Sequence, residues 1–196
     1  HELGHTLGFG HNFASSLNDR ASVMEYPTPR VAVKDGKLDI SESFMKSIGA
    51  YDTFMTRYGY TPFAAAQEKQ GLDAIIADMR AKGILYVPDS DPRWTWYDDR
   101  ATPVENLTES MAARKIMLAN YGPAMLKPGE ALGEMRDIRL WMAYLHHRYA
   151  IESGIKYVGG QFNNIVVKGD DSLPATEFIP GATQRNVLNL LMDAID

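Results

Sequence analysis

Three histidines and a glutamate open this chain at spacings suited to metal-assisted hydrolysis. The run is His1-Glu2-Leu3-Gly4-His5-Thr6-Leu7-Gly8-Phe9-Gly10-His11. Residues four apart on a helix share a face, so the His1 and His5 imidazoles project the same way. Their nitrogens can then meet one ion at about 2.0–2.1 Å. His11 cannot lie on that stripe. Gly8 resolves this, because a residue without Cβ can turn left-handed, end the helix and bring His11 in from another direction. Three neutral nitrogens leave a fourth position for water, the arrangement of a catalytic rather than a closed structural zinc site. Zinc lowers the pKa of that water to about 7. Glu2, beside His1, is placed to take the water's proton and pass it to a leaving amine. A helix with ordinary core or surface histidines would not need Glu2, Gly8 and His11 at these spacings.

The elements that must position these groups read as mainly α with minor β. Residues 1–10 form a short helix broken by Gly8 and Gly10, and residues 11–40 read as loop, punctuated by Pro27, Pro29, Asp35 and Gly36. Ser41 or Ser43 is a candidate cap for a helix running toward Tyr58, and Pro62 suits the start of the next one. Leu72, Ile75, Ile76 and Met79 keep helical spacing before Gly83. Residues 84–87 read as extended or strand, and residues 88–103 as a long polar and aromatic loop, a length often associated with function. Two long helices are expected, from about Pro103 to Leu126 and from about Gly129 to Gly154. The second carries an apolar stripe of Met135, Ile138, Met142, Leu145 and Tyr149. The short Lys127-Pro128-Gly129 connection makes them antiparallel neighbours. A strand with a turn over 161–171 and a helix over 187–195 close the chain.

Composition narrows the class. The chain has 196 residues, 45% of them hydrophobic, enough for one sizeable domain or two small ones. A net charge of −5 argues against nucleic-acid binding, which needs a basic face. No apolar run approaches the roughly 18 residues of a membrane span. With no cysteine, disulfides and thiolate ligands are excluded, and either redox compartment is compatible.

His1–His11, followed by Ser22-Val23-Met24-Glu25-Tyr26-Pro27, resembles the metzincin metallopeptidases. Within that clan it is similar to a bacterial group, the Met-zincins, related to the protease subunit of the Ecx toxin. The likeness extends to Asn12-Phe13-Ala14-Ser15 and to segments 48–52, 57–63 and 144–149, and so covers most of the chain. The resemblance implies zinc held by His1, His5 and His11, with Glu2 as general base. It makes Met24 the Met-turn residue, an apolar floor beneath the ligands. Tyr26, two residues on, either swings to stabilise an oxyanion or simply stacks. It also implies a peptide or protein substrate and an extracytoplasmic location.

Metzincins place a sheet and a long helix before the zinc-binding helix, and this chain begins at the first ligand. Residues 1–60 therefore read as the lower half of a metzincin catalytic domain, and residues 61–196 as a helical extension packed on it. Without the upper half, whose edge strand would pair with a peptide, the isolated chain is expected to bind zinc poorly and turn over little. Any targeting segment would lie upstream. Two other functions share these features: an inactive binding or structural module on the same scaffold, and a zinc hydrolase of a non-peptide substrate. Four weaker signals complete the reading. His146 and His147 look like ordinary hydrogen-bonded or surface histidines. Trp94, Trp96 and Tyr97 line a substrate cleft or fill their loop's own core. Asp89, Asp91, Asp98 and Asp99 look like a solvated loop before a calcium site. Gly169, Asp170 and Asp171 read as a turn.

Overall fold

In the computed structural model, described over residues 1–20, 22–26, 28–97, 99–169 and 173–195, the first helix is a single turn and a half. Helix α1 spans Glu2–Thr6, and Gly8 follows at φ +84°. A 3₁₀ turn covers Ser15–Asn18. The stretch expected as loop to residue 40 contains a hairpin. Strand β1 (Ala32–Lys34) pairs antiparallel with β2 (Lys37–Asp39), Lys34 facing Lys37. Asp35 and Gly36 between them both have positive φ, 51° and 71°. A two-residue turn of that kind matches the right-handed twist of the strands, and Asp-Gly is among its preferred pairs. Strands of three residues are too short for alternation to reveal them.

Helix α2 spans Ala50–Tyr60, starting later than Ser41 or Ser43 would have it. Those serines are used in the loop instead. The Ser41 amide donates to Asp39, and the Ser43 hydroxyl lies within bonding distance of the Arg30 and Ile40 carbonyls. The helix begins where the Asp52 carboxylate accepts the Gly49 N–H at 2.7 Å. Helix α3 spans Glu68–Ala81 and stops before Gly83 at φ +67°, as its spacing predicts. Pro62 lies six residues before it, in a non-helical connection. Residues 84–87 join no ladder among the described residues, but Ile84 and Val87 are buried.

Helix α4 spans Pro103–Ala119, with Thr102 capping it by accepting the Glu105 N–H. It ends short of Leu126, near Asn120, and Pro123–Met125 form a separate 3₁₀ turn. The second long helix is broken into pieces: a π-helical turn at Met135–Arg139, α5 at Leu140–Tyr144 and α6 at Arg148–Ile155. The expected buried stripe does not form, since Ile138 is 44% exposed and Met142 62%. A π turn inserts extra residues into the helical repeat, so spacings counted across it no longer share a face. The buried positions are Ala143, His147, Ala150, Ser153 and Gly154. Small residues let α4 approach closely: a Cβ on Gly154 would meet Leu107 at 2.8 Å. Leu107 lies against Gly154, while Arg114 bonds the Tyr144 carbonyl. The two helical runs are therefore antiparallel, as expected, but the connection between them is not the short Lys127-Pro128-Gly129 link: it runs over residues 120–134.

Strand β3 (Gln161–Asn163) pairs antiparallel with β4 (Thr176–Phe178). Gly169 adopts φ +90°, and Asp170 and Asp171 lie outside the described residues. Helix α7 spans Gly181–Asp193, starting six residues before Val187. Tyr157, Ile179 and Val187 form a buried cluster with Val104, Phe162 and Leu191 packed on it. The fold is mainly α with minor β. No described helix is long and apolar enough to cross a membrane.

Candidate metal centre

His1 stands at the start of α1, where its carbonyl accepts the His5 N–H at 3.1 Å and closes the first turn. The His1 Nε2 lies 3.2 Å from both the His5 Nε2 and the His11 Nε2. The far side of two rings is held by backbone. His1 Nδ1 is 2.7 Å from the Val23 carbonyl, and His5 Nδ1 is 2.9 Å from the Phe9 carbonyl. A carbonyl only accepts, so both Nδ1 atoms carry the proton and both Nε2 lone pairs turn inward. Lone pairs facing each other repel unless a cation sits between them. Nitrogens on a tetrahedral ion at about 2.0–2.1 Å lie about 3.3–3.4 Å apart, close to the separation here. Burial, and then the charge of His5, hold His11 below the ordinary histidine pKa, favouring the neutral form a metal requires. The donor set, three imidazoles and no thiolate, suits zinc. Among the described residues this is the one group of three or more such side chains close enough to share an ion.

The residues between the histidines also matter. Met24 is fully buried, and a Cβ built on Gly4 would stand 2.3 Å from its Sδ. The methionine thus packs against the α1 backbone one residue before His5, and only glycine admits it. Gly4 was not singled out from sequence, although its place inside the histidine motif is a signal. The positive φ of Gly8 is the turn that the motif requires.

Tyr26 stacks on the His1 ring at 4.6 Å and lies 4.9 Å from the His11 ring. Its other ring neighbours are Phe13 at 5.6 Å, Trp96 at 5.9 Å and Tyr97 at 6.3 Å. The aromatic loop divides its work. Trp94 and Trp96 pack on the buried Phe13, at 4.8 and 4.6 Å. Tyr97, at φ +58°, faces an open cleft of about 700 Å³ lined also by His1, Glu2, Val23, Tyr26 and Phe44. A non-glycine residue held left-handed beside a cleft is strain kept by its surroundings. A second cavity of about 470 Å³ shares Thr28, Pro29 and Tyr97 with this cleft and runs toward Trp141 and Tyr149. Pro27 lies outside the described residues.

Four buried carboxylates hold the loops around the site, and sequence reading assigned them no such role. Glu25 accepts the Ser15 and Ser16 amides at 2.7 and 3.1 Å, tying the Met24 turn to the segment after His11. Asp52 accepts from Gly49, Ser22 and Val23. Asp91, fully buried, takes the Arg93 guanidinium and the Asn163 amide. Asp99 binds Arg20 and Arg30. Asp91 and Asp99 are thus anchors inside the fold and not part of a solvated loop, because each has a guanidinium partner there. Asp89 is exposed, and Asp98 lies outside the described residues. Asn12 is buried and donates to the Leu85 carbonyl at 2.8 Å, stitching the third histidine's segment to residues 84–87. His146 and His147 do not join the metal group. His147 is neither at the surface nor fully bonded: it is buried, and its Nδ1 has no hydrogen-bond partner.

A family model described as Met-zincin matches residues 1–196, the whole chain. No curated protein and no solved structure matches it.

Proposed function

Starting from the chain's membership of the Met-zincin family, we propose that it is the catalytic part of a zinc-dependent endopeptidase. The observation that carries this reading is the convergence of the His1, His5 and His11 Nε2 atoms, two of them with Nδ1 fixed on backbone carbonyls. These three nitrogens would hold the ion. When bound, zinc supplies Lewis acidity toward a carbonyl and lowers the pKa of water to about 7. The Glu2 carboxylate, in the cleft next to His1, accepts the proton of the attacking water and delivers it to the departing nitrogen. Met24 keeps the underside of α1 dry and fixed. Tyr26 stacks on two of the ligands, with its hydroxyl available to donate to the oxygen that gains charge. An extended peptide would lie along the cleft, which residues 1–45 line on most sides and to which the 61–196 extension contributes Tyr97. Glu2→Gln tests this reading. It should keep zinc at wild-type stoichiometry while hydrolysis of an unfolded protein falls about 10²–10⁴-fold. A wild-type protein that binds zinc yet cleaves esters and not peptides would point to another hydrolase. One that binds zinc and turns over neither would point to a binding module.

A further inference from the structure

Resting on that reading, we propose that Asp52 is a positioning residue for His1, acting through Ser22 and one peptide unit of the Met24 turn. The His1 Nδ1–H donates to the Val23 carbonyl at 2.7 Å. That carbonyl shares its peptide unit with the Met24 N–H, which donates to the Ser22 hydroxyl oxygen at 2.8 Å. The Ser22 hydroxyl donates to Asp52 Oδ1 at 2.7 Å. Every donor along this path points toward the carboxylate. Such a head-to-tail series polarises cooperatively, and a bond to a carboxylate is stronger than one between neutral groups. Electron density is pushed toward the His1 imidazole, so its Nε2 becomes a better ligand and its ring is fixed in one tautomer.

The surroundings favour transmission over dissipation. Ser22 and Met24 are fully buried and Asp52 is 5% exposed, so water reaches the path only at its partly buried Val23 and His1 end. The second oxygen, Asp52 Oδ2, accepts the Val23 N–H at 3.0 Å and the Gly49 N–H at 2.7 Å. These bonds lock the carboxylate to the turn and to the start of α2, leaving Oδ1 to Ser22. The two tasks are on different oxygens and can be separated by substitution. Ser22→Ala cuts the relay but leaves the Val23 and Gly49 anchors. Asp52→Asn removes the charge and weakens both.

The test measures zinc affinity of the full chain by competition with a chromophoric chelator, with thermal unfolding of the metal-free protein beside it. Ser22→Ala and Asp52→Asn should each weaken zinc binding by about 10–100-fold. In the His1→Ala background Asp52→Asn should add less than a further twofold, because its effect passes through His1. In the metal-free protein the His1 Nδ1–H proton resonance should move upfield in Ser22→Ala, a change that general loosening of the turn would not confine to His1. Zinc affinity of Ser22→Ala within twofold of wild type would overturn the relay and leave the metal site standing. If the wild type binds zinc too weakly to measure, the metal-free readout decides: a His1 Nδ1–H resonance unmoved in Ser22→Ala would overturn the relay.

Discussion

Around His1, His5 and His11 much of the linkage between distant segments runs through buried polar groups, four carboxylates and the Asn12 amide, whereas around α4, α6 and α7 it runs through alkyl and aromatic groups. Glu25, Asp52, Asp91 and Asp99 bind amides, a hydroxyl and guanidinium groups at defined oxygens. Tyr157, Ile179 and Val187 pack together, and Leu107 and Val187 meet over Gly154. Hydrogen bonds to charge are directional and fix a loop in one geometry, while apolar burial is non-directional and scales with area. The first suits a site whose nitrogens must sit within tenths of an ångström. The second suits a helical layer that has only to be stable.

That difference can be broken at either end. The largest effect is expected from Arg93→Ala. It removes the guanidinium from a fully buried Asp91, and breaking a pair of that kind costs about 3–5 kcal/mol. Chemical denaturation should show the loss, and near-ultraviolet dichroism should show Trp94 and Trp96 loosened. Leu107→Ala should cost about 2–5 kcal/mol through the cavity it leaves against α6. Zinc affinity of the remaining folded protein should not change. If Leu107→Ala weakened zinc as much as Ser22→Ala, the two regions would not be separable.

Gly4→Ala probes a place where the histidine cluster depends on packing. The new Cβ meets a buried Met24 at 2.3 Å, and overpacking of this kind costs about 1–3 kcal/mol, more than alanine's helix preference returns. Thermal unfolding and zinc titration should both register it.

The smallest effect is a pH dependence in the helical region. Burial, and then the charges of Arg114 and His146, lower the pKa of His147. The folded state therefore binds fewer protons than the unfolded state. Stability is full above the unfolded value of about 6.5 and is lost as pH falls toward the folded one, at no more than about 1.4 kcal/mol per pH unit for one proton. His147→Leu should flatten that slope between pH 6.5 and 5 in unfolding measurements.

Sequence alone determined what local stereochemistry controls. The four-residue spacing of His1 and His5, the left-handed Gly8 and the stop of α3 before Gly83 were all legible, because each depends on helical periodicity or glycine sterics; the antiparallel run of α4 against α6 was expected from a short link that the structure replaces with residues 120–134. The Asp35-Gly36 turn was visible as punctuation, though not as a hairpin. What only the tertiary structure decided was which distant groups meet. Arg20 finds Asp99, Asn12 finds Leu85, and Met24 fills the space that Gly4 leaves. Tertiary context also turned Ser41 and Ser43 from caps into loop bonds and broke the helix expected over 129–154. A carboxylate's partner is set by where segments tens of residues apart are packed. No local preference encodes that, so the three histidines that cluster could be read from spacing, and the groups that hold them could not.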